Sequence, residues 1–155
     1  MHKYSKGFTL IELVIVIIII GIIAITAAPR FIELGSDARI ATLDSLEANM
    51  LSAANLVNVK ARIEDKTDCA SDPIIEMGGQ NITLRCGYPC PHPNGIARTL
   101  VTDDSVQWIG GNCAGLLGRI EARLSKAPDP TNCKLRYAAS TGTAPPFIIK
   151  TTSGC

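Results

Sequence analysis

From Gly7 to Ala28 the chain reads GFTLIELVIVIIIIGIIAITAA, and after Glu12 no charged side chain occurs until Arg30. A helix needs roughly 20 consecutive apolar residues to cross a bilayer, and this run has that length. Lys3 and Lys6 flank it on the N-terminal side. The bias of basic residues toward the cytoplasm then places the N-terminus inside and everything after Arg30 outside. From Ser36 the period changes. Ile40, Leu43, Glu47, Met50, Ala54, Val57 and Ala61 recur at steps of three and four, with Leu46 and Ala53 widening the stripe. Asp37, Arg39, Asp44, Asn49, Asn55 and Lys60 take other faces. This is an amphipathic helix whose apolar side needs a cover. Neither Pro nor Gly interrupts Ser36 to Arg62, so Phe8 to Arg62 predicts one nearly continuous helix, about 80 Å long at 1.5 Å per residue. Pro29 lies inside it and removes a backbone donor, which predicts a kink or local melting near Ile25 to Pro29. Gly21 and Gly35 add weak points of about 1 kcal/mol each relative to Ala.

Beyond Ile63 the pattern breaks into short pieces. Residues 64–83 are polar and punctuated by Asp72-Pro73 and Gly78-Gly79, so they read mostly as loop, with Ile74-Ile75 and Ile82-Thr83-Leu84 as short strands. Cys86 to Ala97 holds three prolines and an Asn94-Gly95 pair, which is rigid turn chemistry. Ile96 to Leu100 predicts a short helix, and Val106 to Ile109 a strand ended by Gly110-Gly111. Leu116 to Leu124 fits helix or strand equally. Lys134 to Ala138 alternates polar and apolar residues, Pro146 to Lys150 is β-prone, and Gly142 to Pro145 joins them as a terminal antiparallel hairpin. The expected fold class is α+β, with a long N-terminal helix packed on a small antiparallel sheet.

All six cysteines, Cys69, Cys86, Cys90, Cys113, Cys133 and Cys155, lie beyond the apolar run. On the side the topology assigns to an oxidising compartment, an even number reads as three disulfides. The terminal hairpin would bring Cys133 to Cys155, and the other four allow three pairings. A zinc site on Cys86, Cys90 and His92 is the alternative, but no second closely spaced cysteine pair answers it. The turn-rich part of the chain is marginal for a self-sufficient core, so the crosslinks matter, at about 2–4 kcal/mol each.

The formal charge is +1, and without Lys3 and Lys6 it becomes 13 basic against 14 acidic side chains, or −1. Near-neutrality leaves no footprint for general nucleic-acid binding and suits a subunit that packs against copies of itself. No phosphate-cradling glycine motif and no G-x-S-x-G occurs. The two histidines are His2 and the proline-flanked His92, which give a nucleophile or metal mechanism no orienting partner. Asp103-Asp104 could contribute to a calcium site, but calcium wants several converging oxygens. These features predict no enzyme, no cofactor and no metal.

One carboxylate breaks the apolar run. Thr9-Leu10-Ile11-Glu12 fits the S/T-x-x-E capping box of a helix start. An ionisable group just inside a membrane helix also needs a partner, and an amine freed by a cut between Gly7 and Phe8 of a neighbouring copy would supply one. The two roles are compatible, and spacing does not separate them. An ordinary cleaved signal peptide is a third reading of the first 28 residues, but Pro29 would follow its cut directly and the apolar run is long for it.

Lys6-Gly7-Phe8-Thr9-Leu10-Ile11-Glu12-Leu13, the apolar run, and then Ala28-Pro29-Arg30-Phe31 resemble the N-terminus of a type IV prepilin. The resemblance implies the type IV pilin fold and a leader, residues 1–7, removed by a membrane prepilin peptidase. It further implies methylation of the new N-terminal Phe8, assembly into a surface filament with Glu12 contacting the Phe8 amine of an adjacent subunit, and loss of helix around Pro29 on assembly. Residues 8–35 would be the membrane and filament-core half of the helix, and 36–155 the periplasmic or extracellular head. The precursor would sit in the bacterial inner membrane as a single pass with its N-terminus inside. Its partners would be copies of itself, the pilus assembly machinery and a surface receptor whose nature stays open. Gly87-Tyr88-Pro89, Gly95-Ile96, Asp37-Ala38-Arg39 and Ser52-Ala53-Ala54 are similar to segments of the mannose-sensitive haemagglutinin branch, whose heads support adhesion and surface attachment. The expectation is a major pilin. The alternatives are a type II secretion pseudopilin, a minor pilin, or a membrane-anchored disulfide-rich binding domain.

Overall fold

The computed structural model describes residues 7–113, 118–138, 142 and 144–155, with side chains of residues 28–32 left out. The chain divides into two compact units at Ala38/Arg39. Helix α1, Leu10–Ile63, runs through both. It is helical across Pro29, where sequence predicted a kink or melting. A proline forfeits one backbone bond of the ladder, and the neighbouring residues keep the helical pattern. In the first unit the window Leu10–Ala27 is apolar and long enough to cross a membrane, and none of it is buried. At 1.5 Å per residue its 18 residues span about 27 Å, close to a bilayer's hydrocarbon thickness.

The second unit builds two antiparallel sheets on the amphipathic part of α1. One sheet has the order β1-β2-β3, from Ile74–Met77, Gln80–Arg85 and Tyr88–Pro89. The other has the order β4-β5-β6-β7, from Val106–Gly110, Arg119–Leu124, Lys134–Ala138 and Phe147–Thr151. Leu43, Leu46, Met50 and Ala54 of α1 share a buried cluster with Ile120, Ala122, Leu124, Leu135 and Tyr137 of the larger sheet. One turn onward, Val57 and Ala61 meet Ile75, Ile82 and Leu84 of the smaller one. The buried stripe passes through Leu46 rather than Glu47. Glu47 turns outward with Asp44 to hold Lys150 of β7, at 3.1 and 2.5 Å.

The region expected to be mostly loop is a hairpin in its second half. Gly78 and Gly79 both take positive φ, 60° and 74°, and close a two-residue turn that registers Met77 with Gln80. The proline-rich stretch also pairs. Cys86 and Gly87, at φ 51° and 78°, turn the chain so that Arg85 faces Tyr88. Residues Ile96–Thr99 form a 3₁₀ turn. The ambiguous Leu116–Leu124 stretch is strand β5 from Arg119, with residues 116 and 117 outside the described ones. The terminal hairpin is present as β6–β7, in the register Arg136↔Ile149, with part of its connection outside the described residues.

Two polar links tie these layers together, and a third set joins two strands of the larger sheet. The Tyr137 hydroxyl, buried in the larger sheet, donates to the Pro89 carbonyl of the smaller at 2.8 Å. Asn58, the one buried polar residue of the described core, donates to the Gly87 carbonyl at 3.0 Å and accepts from Arg62 at 2.9 Å. On the outer face of the larger sheet, Glu121 gathers Lys134, Arg123 and Arg136 at 2.8, 2.6 and 3.0 Å. Burial alone would raise the Glu121 carboxyl, but hydrogen bonds from Lys134, Arg123 and Arg136 outweigh it and bring it down from 4.5 to about 2.

A carboxylate with a lowered folded pKa stabilises the fold above its unfolded pKa, and that contribution is lost as pH falls through the folded value. The Glu121 contribution should therefore be intact at neutral pH and fade between about pH 4.5 and about pH 2. Thermal melts of Glu121→Gln should start from a lower midpoint at pH 7 and fall less steeply across that window; parallel curves for mutant and wild type would contradict this. Reducing the disulfides should unfold the Arg39–Cys155 unit, because each removes about 2–4 kcal/mol. An unchanged thermal midpoint in reductant would show that the packed sheets suffice alone.

Candidate assembly segment

The segment that carries the sequence motif begins outside any helix. Residues Gly7 to Thr9 are irregular and α1 starts at Leu10. The helix start is set by Thr9 and Glu12. The Glu12 backbone N–H donates to the Thr9 hydroxyl oxygen at 3.3 Å, and the Thr9 backbone N–H donates to Glu12 Oε2 at 2.9 Å. The Thr9 hydroxyl also donates to the same Oε2, at 2.8 Å. This is a reciprocal capping box, which satisfies donors that a helix N-terminus leaves unpaired. Both bonds use Oε2, so Oε1 of Glu12 keeps its lone pairs without a partner among the described residues. The capping reading of Glu12 is thus realised within one chain, and the carboxylate retains acceptor capacity for a second contact.

Gly7 is exposed, and a Cβ added there would meet nothing within 4 Å. Its φ lies outside the left-handed range that favours glycine, so neither backbone conformation nor packing among the described residues calls for glycine there. Phe8 is 86% exposed and stands next to it on irregular backbone. Gly7 and Phe8 are therefore both exposed on non-helical backbone. Gly21 repeats the pattern inside α1: it costs helix stability, and a Cβ there would meet nothing within 4 Å. Sequence reading took Gly21 as a weak point only. Its other property, a flat place on a helix face, shows once the neighbouring space is seen to be open. Every side chain from Leu10 to Thr26 is exposed, and the large apolar ones lie between 42% and 82%. A contiguous apolar surface of this size marks an interaction or membrane surface.

The cysteines form three disulfides: Cys69–Cys86, Cys90–Cys113 and Cys133–Cys155. The first ties the loop after α1 to the turn between β2 and β3, and the second ties β3's exit to the chain after β4. The third joins the start of β6 to Cys155 beyond β7. Cys86 and Cys90 stand in different bridges, so their thiolates are not available together, and the His92 ring accepts the Asn94 N–H at 3.1 Å. Among the described residues no three His, Cys, Asp or Glu side chains converge on a metal-sized site. Asp103 is engaged by the Ser105 hydroxyl and backbone N–H.

The prokaryotic N-terminal methylation motif matches residues 2–28. Over 58 residues the chain is 48% identical to the type IV narrow pilus major component PilA5 of Thermus thermophilus, covering 37% of this chain and 50% of that protein. It therefore spans half the length of that relative. It is 27% identical over 154 residues to the type IV major fimbrial protein FimA of Dichelobacter nodosus, covering 99% of this chain and 79% of that one. No solved structure matches. Both relatives are named as major components of type IV pili or fimbriae rather than as enzymes. The chain is thus similar to type IV pilins and carries the prokaryotic N-terminal methylation motif.

Proposed function

We propose that the chain is a structural subunit, the major pilin, of a type IV pilus, and that it polymerises through Phe8 and the apolar helix that follows it. The observation that carries this reading is the exposed Gly7-Phe8 pair, followed by an apolar helix that no described residue covers. A prepilin peptidase would remove residues 1–7, and Phe8 would be methylated. Lys3 and Lys6 favour insertion with the N-terminus in the cytoplasm. Residues 8–35 would serve the membrane and then the filament core, and 36–155 the displayed head.

Lipid tails and a bundle of like helices are both apolar, so transfer from one to the other costs little hydrophobic free energy. Specificity must come from packing and polar contacts. Glu12 supplies the polar contact: its open Oε1 can accept from the Phe8 amine of an adjacent subunit while Oε2 keeps its own cap. That pairing fixes stagger, because a carboxylate left without its cation in an apolar core is costly. Gly21 permits close approach of a neighbouring helix, and Pro29 supplies a point where the helix can open on assembly. The assembly machinery would drive extraction from the membrane. The narrower placement near the mannose-sensitive haemagglutinin branch, with its role in surface attachment, rests on short segments such as Gly87-Tyr88-Pro89 alone; the relatives PilA5 and FimA carry other names.

Two substitutions separate the roles of Glu12. Gln can serve a capping box as Glu does but carries no charge. Glu12→Gln should therefore keep the helix start and membrane insertion yet strongly reduce filaments in electron micrographs, and Glu12→Lys should abolish them. Normal piliation in Glu12→Gln would reduce Glu12 to a cap. Intact-mass and N-terminal analysis of protein from sheared filaments should find a chain beginning at methylated Phe8, and a chain still beginning at Met1 would sink the processing scheme.

A further inference from the structure

We propose that the outward face of the sheet β4–β7 binds an acidic polysaccharide, a linear polymer of carboxylate-bearing sugars. Strand alternation and register build this face. Ile120, Ala122 and Leu124 of β5 and Leu135 and Tyr137 of β6 are buried, so Arg119, Glu121, Arg123, Lys134 and Arg136 point the other way. Glu121 lies opposite Arg136, and Arg123 opposite Lys134. Like charges set opposite each other on adjacent strands repel, and the single carboxylate of this group already divides its two oxygens among three cations. Arg119 is exposed and makes no ion pair among the described residues. Four cations against one carboxylate leave the face with a surplus that Glu121 cannot neutralise.

The rim of the face is apolar. Ile109 stands opposite Glu121 on one side and Ile149 opposite Arg136 on the other, 40% and 45% exposed. Phe147, 53% exposed, begins the outer strand. A polymer that suits this face offers carboxylates to guanidinium forks, which bind them bidentately, and apolar ring faces to the isoleucines and the phenylalanine. A uronate-type sugar carries both on one residue. Duplex nucleic acid presents a charged phosphate rim with nothing for the apolar side chains, and a single phenylalanine is no stacking platform for a single strand. The inference rests on the pilus-subunit reading only for where the face is displayed. The chemistry of the face belongs to the Arg39–Cys155 unit itself.

The test uses the full chain in detergent micelles and, in parallel, sheared filaments, passed over surfaces coated with alginate, neutral dextran or duplex DNA. Wild type should be retained on alginate at about 50 mM salt, released at about 500 mM, and not retained on dextran. Arg119→Glu, which leaves the Glu121 cluster intact, should weaken retention several-fold. The pair Arg119→Glu with Arg136→Gln should weaken it roughly tenfold, the scale of one or two surface charge contacts. Arg98→Glu, the same charge change placed on the 3₁₀ turn, should leave retention unchanged. Unaltered alginate retention in Arg119→Glu, or equal loss in Arg98→Glu, overturns the proposal. Stronger wild-type retention on DNA than on alginate overturns the choice of polymer. If wild type forms no filaments while micellar Arg119→Glu still loses alginate, the pilus reading fails and the binding face stands.

Discussion

No described residue covers the apolar helix face from Leu10 to Ile25, and water is a poor solvent for it. Each square ångström of apolar surface left in water forgoes about 25 cal/mol, and here almost every side chain over some five turns is exposed. The backbone of the same stretch has its hydrogen bonds satisfied within the helix, which is the condition for burial in hydrocarbon. Lipid or a bundle of similar helices satisfies the constraint equally well. A chain built this way has two stable environments, and the features that distinguish them are few: one carboxylate near the start, one glycine without neighbours, one proline.

Downstream the same helix changes solvent and changes role. From Leu43 to Ala61 its apolar side chains sit at steps of three and four and cover first the larger sheet, then the smaller. Among the described residues the helix supplies apolar cover to both sheets and so completes both cores. The Tyr137–Pro89 hydrogen bond joins the two sheets, and the Asn58–Gly87 hydrogen bond joins the helix to the turn between β2 and β3. Three disulfides restrict the chain where it is richest in turns. The exposed edge of β1 is closed by Lys60 and Lys66, whose ammonium groups donate to the Glu76 and Ile74 carbonyls. Lysines on an edge discourage pairing with another sheet, which suits the proposed association through the helix rather than through the strands.

Much of this was legible from residue order. The apolar run, the Thr9–Glu12 cap, the amphipathic helix and the terminal hairpin all depend on periodicity or on contacts within four residues, and periodicity is written in the chain. The pairing of Cys133 with Cys155 followed from that hairpin. Other features were not. The short strands at Ile74-Ile75 and Ile82-Thr83-Leu84 were legible, but their pairing was not, because it takes the positive φ of Gly78 and Gly79 to make them one hairpin. Cys86 to Ala97 read as rigid turn chemistry, yet Tyr88 and Pro89 pair with Arg85 and Leu84 because Cys86 and Gly87 turn the chain. Glu47 falls in the helical stripe by count, but Lys150, distant in sequence, draws it outward.

Sequence by itself determined where this protein is apolar, where its helices can start, and that its cysteines lie together beyond the apolar run, because those properties are local sums over neighbouring residues. Only the tertiary structure decided how Cys69, Cys86, Cys90 and Cys113 are joined, and that Arg119, Arg123, Lys134 and Arg136 share one face around a single carboxylate. Both outcomes depend on strand register, which brings together residues far apart in the chain. Register is chosen by how two sheets fit one helix and not by any residue's own preference.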